Sequence, residues 1–229
     1  MIFTFWEGNM PAYIKLCLDT WKQDYIMLNY DNLNQYTDLK VDDRLKSFTL
    51  PQIADCVRVH VLRDNGGYWL DTDTIMITDK LPTENMIGDI RRRTNTIGYL
   101  HTEAHSDMFE KWAEYQDYMI ATADSKDWDI MGNRFTDGYI RNHHNITIAD
   151  VTPCWPETQR IRCGWSRYNK YQHLYFGTSL MLSDLPKTDM LMLHNSWTPS
   201  WYKNLSRDDV LADKCTLSNI LREVSLCGI

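Results

Sequence analysis

Residues 50–77 read LPQIADCVRVHVLRDNGGYWLDTDTIMI, and this stretch carries the clearest structural and chemical signals in the chain. Apolar side chains recur at helical spacing over residues 50–64, which predicts an amphipathic helix. The pair Gly66-Gly67 follows, and glycine readily adopts the left-handed conformation that ends helices. Two short apolar segments come next, with Asp71-Thr72-Asp73 between them. The stretch therefore predicts a helix, a tight turn and a strand that leads into two carboxylates.

Strand and helix signals alternate on both sides of this stretch. Strands are predicted at residues 1–6, 25–30, 68–70, 74–77, 97–100, 175–182 and 190–194, and helices at 10–22, 50–64, 108–120 and 127–141. This alternation predicts an α/β fold, a sheet flanked by helices. No linker rich in Pro, Gly or Ser interrupts the 229 residues, so we expect a single domain over residues 1–229.

Composition excludes several classes of protein. The formal net charge is -7, so the chain lacks the positive field that attracts nucleic acid, and no nucleic-acid partner is expected. No apolar run reaches the roughly 18–20 residues of a membrane-spanning helix. The N-terminus lacks the features of a secretory signal. These observations predict a cytoplasmic protein that would associate with a membrane only through its acceptor.

Asp71 and Asp73 suggest a metal site. Aspartate is disfavoured in strands, and two neighbouring carboxylates repel each other. A divalent cation removes both costs, and hard oxygen ligands suit Mg²⁺ or Mn²⁺. If the strand extends this far, alternation points residues i and i+2 to the same side. Mg²⁺ is commonly bound by one or two protein carboxylates together with substrate phosphates, so the expected substrate is a nucleotide diphosphate. The alternative to a metal site is that Asp71 and Asp73 lie in a solvated turn.

The stretch from Ile53 to Asp73 resembles the signature of sugar-nucleotide glycosyltransferases with a DxD motif, in particular the capsular-polysaccharide-synthesis and mannosyl- or galactosyltransferase-like enzymes. Their pattern is roughly S-D-x-x-R-x-x-x-L-x-x-x-G-G-x-Y-x-D-x-D. The matching residues are Asp55, Arg58, Leu62, Gly66, Gly67, Asp71 and Asp73. Ala54 replaces the usual serine and Trp69 the usual tyrosine.

Two further segments are similar to these enzymes. Phe3 to Gly8 resembles their first strand, which lines the nucleobase pocket, and Cys17 to Trp21 resembles their C-x-x-S-W helix, with Thr20 in place of serine. Near the C-terminus, residues 194–201 (HNSWTPSW) resemble their late H-x-x-W-x-x-S-W segment. The alternative for these tryptophans is simple packing.

The resemblance implies a GT-A fold, Rossmann-like and specific for nucleotide-diphosphate sugars, with Mn²⁺ or Mg²⁺ as cofactor. Residues 1–82 would form the donor-nucleotide and DxD half, and residues 83–229 the acceptor half with the C-terminal metal and diphosphate segment. The implied metal ligands are Asp71, Asp73 and His194, whose neutral imidazole can complete such a shell. The implied donor-binding residues are Phe5, Trp6, Asp55, Arg58, Gly67, Asp71, Asp73, Ser200 and Trp201. Asp55 and Arg58 share one helix face at i and i+3; a surface ion pair is the alternative.

The acid–base group is predicted from position. In GT-A enzymes an acidic pair that begins a helix after the DxD motif lines the acceptor side, which here favours Asp129 and then Asp127. Carboxylates also serve as ordinary helix N-caps. The reserve candidates are Glu157, Asp137, Asp184 and Asp189.

The sequence thus predicts a metal-dependent glycosyltransferase of the hexosyltransferase type, with a nucleotide-diphosphate sugar donor and a glycan acceptor. UDP-sugars are favoured over GDP-sugars because most metal-dependent relatives use them. A nucleotidyltransferase or phosphate-ester hydrolase is one alternative, because it would use the same carboxylates. A non-catalytic carbohydrate-binding domain is the other, since 13 tyrosines and 9 tryptophans would suit sugar rings.

Overall fold

The elements lie in the order expected of an α/β chain. The computed structural model describes residues 1–81, 86–90, 94–123, 127–143, 154–160 and 164–227. The strands within them are β1 (Ile2–Phe5), β2 (Tyr25–Leu28), β3 (Gly67–Leu70), β4 (Thr74–Met76), β5 (Met86–Ile90), β6 (Thr94–Thr102) and β7 (Met190–Met192). The helices are α1 (Ala12–Leu18), α2 (Leu50–Asn65), α3 (Asp107–Thr122), α4 (Asn133–Asn142), α5 (Pro156–Arg160), α6 (Arg167–Phe176), α7 (Ser200–Lys203), α8 (Arg207–Ala212) and α9 (Thr216–Cys227).

These elements form two units, each assembled from separate segments. The first unit takes Met1–Glu7, Asp24–Asp71 and the described residues of Pro82–Asp150. The second takes Gly8–Gln23, Thr72–Leu81 and the described residues of Val151–Ile229.

A five-stranded mixed sheet organises the first unit. The strand order is β2-β1-β3-β6-β5, with β1 parallel to both β2 and β3, and β6 antiparallel to β3 and β5. Helix α2 packs on β1, β3 and β6, while α3 packs on α2. The core of this unit includes Phe3, Leu28, Cys56, Val57, Val59, Val61, Leu62, Trp69, Leu100 and Trp112. The α/β expectation is therefore confirmed as a parallel-rich sheet flanked by helices.

Local signals fix both ends of α2. At its start, Gln52 Oε1 accepts hydrogen bonds from the backbone N–H and the hydroxyl of Thr49, at 3.0 and 2.7 Å. Pro51 lies in the first turn, where its missing N–H is not needed. At the other end, Gly66 has a φ of 65° and Gly67 a φ of 91°. A Cβ on Gly66 would lie 2.5 Å from the backbone nitrogen of Ala104, so only glycine lets β3 begin directly after the helix.

The second unit contains a two-stranded antiparallel ladder of β4 and β7. The indole Nε1 of Trp21, which follows α1, donates to the backbone oxygen of Thr74 at 2.8 Å. The hydroxyl of Thr20 accepts from the backbone N–H of Met76 at 2.8 Å. The two residues thus tie the end of the first helix to β4, which gives the C-x-x-S-W-like segment a structural task.

Three sequence expectations need correction. The strand expected over residues 175–182 is wrong: α6 runs to Phe176, because Tyr171, Leu174 and Tyr175 lie on one buried helical face. The helix expected from residue 127 begins instead at Asn133, after a turn. The strand before the two carboxylates ends at Leu70, and Thr72 and Asp73 form a turn, so strand alternation does not set the relative direction of the Asp71 and Asp73 side chains.

In the part of the chain that the structure describes, no helix is both long and apolar enough to cross a membrane.

Candidate functional site

A buried ion pair on α2 is the electrostatic centre of the first unit. Asp55 Oδ1 lies 3.1 Å from Arg58 Nη2, and these side chains are only 11% and 6% exposed. The guanidinium also donates from Nη1 to the backbone oxygen of Ile97 on β6, and its carbon lies 5.2 Å from the ring centre of Trp69. The surface ion pair considered from the sequence is therefore wrong. Burial of a charged pair costs free energy that needs further partners, and Arg58 has them.

Arg58 connects this pair to the first of the two predicted metal-binding carboxylates. Its Nη2 lies 3.2 Å from Asp71 Oδ1, and Trp69 Nε1 donates to the same oxygen at 2.9 Å. The side chain of Asp71 is 36% exposed. Tryptophan at position 69 therefore gives Asp71 a hydrogen bond that fixes its orientation at the end of β3.

Asp55 is a carboxyl group with unusual proton affinity. Burial, partly offset by the charge of Arg58 and reinforced by that of Asp71, raises the pKa of Asp55 to about 7. Its backbone oxygen accepts a hydrogen bond from Gln116 Nε2 at 3.0 Å. The helix face predicted from the i and i+3 spacing thus holds a carboxyl group that can gain or lose a proton near neutral pH.

The turn with the predicted acid–base residues lies beside Asp55. Gln52 Nε2 donates to the backbone oxygen of Asp127 at 2.9 Å, and a Cβ added to Gly132 would lie 2.9 Å from Asp55 Oδ2. Arg134 Nη2 reaches both acidic side chains, at 2.8 Å from Asp127 Oδ2 and 3.2 Å from Asp129 Oδ1. Neither carboxylate caps α4, whose N-cap is Gly132, so the capping alternative is wrong.

In the second unit, Asp73 and the His194 segment come together. Asp73 Oδ2 accepts a hydrogen bond from the backbone N–H of Asn195 at 2.6 Å, and its backbone oxygen accepts from the N–H of Leu193 at 3.0 Å. The side-chain oxygen of Asn195 accepts from the hydroxyl of Tyr13 at 2.6 Å. Asp73, which directly precedes β4, is therefore joined by direct hydrogen bonds to Leu193 and Asn195, which follow β7.

The imidazole of His194 is surrounded by aromatic rings. Its ring centre lies 4.0 Å from that of Trp197, 5.5 Å from Tyr171 and 6.5 Å from Trp155. Burial, and then the charge of Arg167, lower the pKa of His194 to about 3. Its Nε2 is buried without a hydrogen-bond partner among the described residues. The ring is thus neutral, which is the form that binds a metal.

Sequence reasoning missed an ion pair that lies near this histidine. Arg167 Nε lies 3.5 Å from Glu157 Oε1, and the Glu157 side chain is fully buried. The guanidinium carbon of Arg167 lies 5.2 Å from the ring centre of Trp155 and 5.6 Å from that of Trp197. Burial raises the pKa of Glu157 to about 7. Glu157 was only a reserve candidate for acid–base chemistry, and its burial keeps it from direct contact with an acceptor.

The late tryptophans differ in environment. Trp197 packs among the rings around His194. Trp201 on α7 is 51% exposed, with its ring centre 6.1 Å from that of Phe176, and Ser200 beside it is exposed. Simple packing therefore accounts for Trp197 but not for Trp201.

The residues predicted to lie near the base have mixed environments. Phe5 belongs to the core at 6% exposure. Trp6 is half-buried, and its Nε1 is buried with no hydrogen-bond partner in the described ranges. Position 67 requires glycine for steric reasons, because a Cβ there would lie 2.5 Å from the backbone oxygen of Met1. A donor role for these residues stays a prediction.

Each of the three predicted metal ligands is of a type that binds divalent cations. Asp71 and Asp73 offer carboxylate oxygens, and His194 offers a neutral ring nitrogen that lacks a partner in the described residues. Two of these groups already accept hydrogen bonds from the protein, which orient them. Within the residues that the structure describes, no cluster of three or more His, Cys, Asp or Glu side chains could hold a metal ion. The ligand set therefore stays a prediction.

Comparison with known proteins identifies the family. Residues 1–148 match the model of a family described as "Capsular polysaccharide synthesis protein". The chain belongs to this family. A search of curated proteins finds no significant match. Among solved structures, the chain is similar to one described as "PaToxG Glycosyltransferase", at 15% identity and a TM-score of 0.44, over 61% of this chain and 67% of that one.

The capsular polysaccharide synthesis match includes most of the predicted site. Asp55, Arg58, Asp71 and Asp73 lie within residues 1–148, as do Asp127 and Asp129. The resemblance seen in the sequence is confirmed at the level of this family. His194, Ser200 and Trp201 lie beyond the match, so their similarity rests on the H-x-x-W-x-x-S-W pattern alone.

Proposed function

We propose that this chain is a metal-dependent glycosyltransferase with a GT-A-type donor site, which transfers a hexose from a nucleotide-diphosphate sugar to a glycan acceptor. The observation that carries the proposal is the buried network of Asp55, Arg58 and Asp71 at the end of β3. Membership of the capsular polysaccharide synthesis family supports the transferase class. UDP-sugars are the favoured donors and GDP-sugars the next.

Each residue of the network has a distinct task in this proposal. The guanidinium of Arg58 forms ion pairs with Asp55 and Asp71 and donates to the backbone oxygen of Ile97. It would therefore fix the positions of both carboxylates and neutralise part of their charge. Asp55 would accept a hydrogen bond from a hydroxyl group of the donor. Trp6 contributes a buried indole N–H without a partner in the described residues, which can donate to the nucleoside.

Asp71, Asp73 and His194 are the proposed ligands of Mn²⁺ or Mg²⁺. When bound, the cation would act as a Lewis acid that neutralises charge on the departing diphosphate. The hydrogen bonds from Trp69 to Asp71 and from the Asn195 N–H to Asp73 orient the two carboxylates. Such outer contacts tune and fix metal ligands in general. Ser200 and the half-exposed Trp201 are proposed to donate to the diphosphate.

Asp129 is proposed as the acceptor-side carboxylate, with Asp127 next. The turn that carries both lies against α2 through the Gln52 bond and the close approach of Gly132 to Asp55. Arg134 holds both side chains at one place. Asp129 would exchange its Arg134 contact for an acceptor hydroxyl.

The test is a scan of sugar release and sugar transfer with UDP- and GDP-sugars, in the presence of Mn²⁺, of Mg²⁺ or of EDTA. We expect turnover with at least one donor, its loss in EDTA, and its loss in Asp73→Ala with the circular dichroism spectrum unchanged. Asp43→Ala, at an exposed aspartate, is the matched control and should keep full activity.

The alternatives give different results in the same scan. A nucleotidyltransferase or phosphate-ester hydrolase would consume the nucleotide without releasing or transferring sugar, and a carbohydrate-binding domain would show no turnover. Full activity in EDTA, or an active Asp73→Ala variant, would refute the metal-dependent mechanism.

A further inference from the structure

One face of α6 borders an open groove in the second unit, outside the residues assigned above to donor, metal or acid–base chemistry. The groove has a volume of about 430 Å³, within the ~300–1,000 Å³ typical of small-molecule sites. Its lining is formed by residues at helical spacing and the two positions that flank the helix: Trp165, Asn169, Gln172, His173, Phe176 and Gly177. We call it the α6 groove.

The groove presents aromatic surface to solvent. Trp165 is 50% exposed, and its ring meets that of His173 at 5.4 Å and 89°. This edge contact holds the indole in place. Phe176, at the other end of the helical face, is in edge contact with Trp201, which is 51% exposed. Exposed apolar side chains that lie together, unlike ones that are scattered singly, mark binding sites.

Apart from His173, the polar side chains of the groove are uncharged amides. None of its six lining residues is Asp, Glu, Lys or Arg. Asn169 and Gln172 bring amides, and Gln172 is anchored because its Nε2 donates to the backbone oxygen of Trp197. A strongly acidic or basic ligand would lose hydration here with no Asp, Glu, Lys or Arg among the lining residues to compensate it. A ligand with hydroxyl groups and an apolar ring face would find amide partners and an aromatic platform.

We propose that the α6 groove binds a neutral sugar ring of the glycan acceptor, with the ring's C–H face on Trp165 and its hydroxyls on Asn169 and Gln172. That the bound glycan is the acceptor rests on the proposed function; the sugar binding itself does not. Aromatic faces suit such contacts because they combine apolar area with fixed geometry. The groove would then determine which glycans the enzyme extends.

The experiment measures glycan binding without donor or metal, so that it is independent of catalysis. The probes are maltohexaose, cellohexaose and chitohexaose, with a hexamer of galacturonic acid as the charged comparison, titrated by calorimetry. We expect wild type to bind at least one neutral hexasaccharide more tightly than the charged one. Trp165→Ala should weaken that binding about tenfold or more, whereas Trp165→Phe should stay within about threefold of wild type, because it keeps an aromatic face for the sugar ring.

Tyr118→Ala is the matched control, because Tyr118 on α3 is 65% exposed and lies outside the groove; its binding should equal that of wild type. Melting curves check that the variants fold. Absence of binding to all three neutral probes, binding that survives Trp165→Ala, or equal binding of the charged hexamer would each overturn the proposal. If glycan binding depends on Trp165 but no donor is turned over, the sugar-binding proposal stands and the proposed transferase function is refuted. If a donor is turned over but no glycan binding depends on Trp165, the transferase function stands and the sugar-binding proposal is refuted.

Discussion

Replacement of Arg58 by methionine tests whether the buried network is the electrostatic centre of the first unit. Methionine keeps much of the apolar stem but removes the charge shared by Asp55 and Asp71 and the hydrogen bond to Ile97. It leaves Asp55 in a site where its side chain is only 11% exposed. The variant therefore buries a carboxyl group that has lost its cation.

The expected loss follows from this burial. Removing one partner of a buried ion pair costs ~3–5 kcal/mol of unfolding free energy. For a chain of this size, about 1 kcal/mol corresponds to a ~2–4 °C shift of the melting temperature, so Arg58→Met should melt roughly 6–20 °C below wild type. Without Arg58 the pKa of Asp55 rises further above its ordinary value. Above about pH 7 the folded variant then keeps a proton that folded wild type and the unfolded chain both release, so the loss should be larger at pH 8 than at pH 5.

The assay is urea unfolding followed by circular dichroism at both pH values. Arg63→Met on the same helix is the matched control, because Arg63 pairs with Asp38, whose side chain is 84% exposed, and with Asp64. The Arg63 side chain is itself 14% exposed, but water can solvate Asp38 once Arg63 is removed, so this loss should be smaller than that in Arg58→Met. Asp55→Asn should cost less than Arg58→Met, since it removes the buried charge. Equal losses in Arg58→Met and Arg63→Met would refute the reasoning.

Three further predictions concern activity, pH and packing. If the Asp129 carboxylate is a general base, Asp129→Asn should lower the rate of sugar transfer about 10²–10⁴-fold. Donor affinity should not change, because the proton moves only in the transition state. An unchanged rate of sugar transfer in steady-state assays would exclude this role. Glu157 has a pKa of about 7 in the fold, so it holds a proton that the unfolded chain releases above about pH 4.5. The stability of wild type should therefore fall between about pH 4.5 and 7. In urea titrations, Glu157→Gln should reduce this pH dependence by up to ~1.4 kcal/mol per pH unit. Gly132→Ala should lower the free energy of unfolding by ~1–3 kcal/mol, because the added Cβ would clash with Ile97 Cδ1 and lie 2.9 Å from Asp55 Oδ2. A melting temperature equal to that of wild type would contradict this close approach.

Local sequence determined the elements whose signals lie within a few residues of each other. The helix expected over 50–64 is confirmed as Leu50–Asn65, because a capping box, an early proline and a terminal glycine act through neighbouring backbone groups. Strands β1, β2 and β3 are confirmed for the same reason: short apolar segments between turns leave few alternatives. The pairing of Asp55 with Arg58 was also visible, because i and i+3 share a helix face.

Tertiary structure decided what depends on distant partners. The apolar residues 175–182 satisfy a strand pattern, yet Tyr171 and Tyr175 are buried one helical turn apart, so packing selects a helix there. β5 was not predicted, since a strand is stable only beside its partner β6. Burial of the Asp55 pair, and the pairing of Glu157 with Arg167 between two tryptophans, follow from contacts across the fold. Side-chain desolvation depends on the packed structure, so the pKa values and interaction partners of these residues follow from the fold and not from the local sequence.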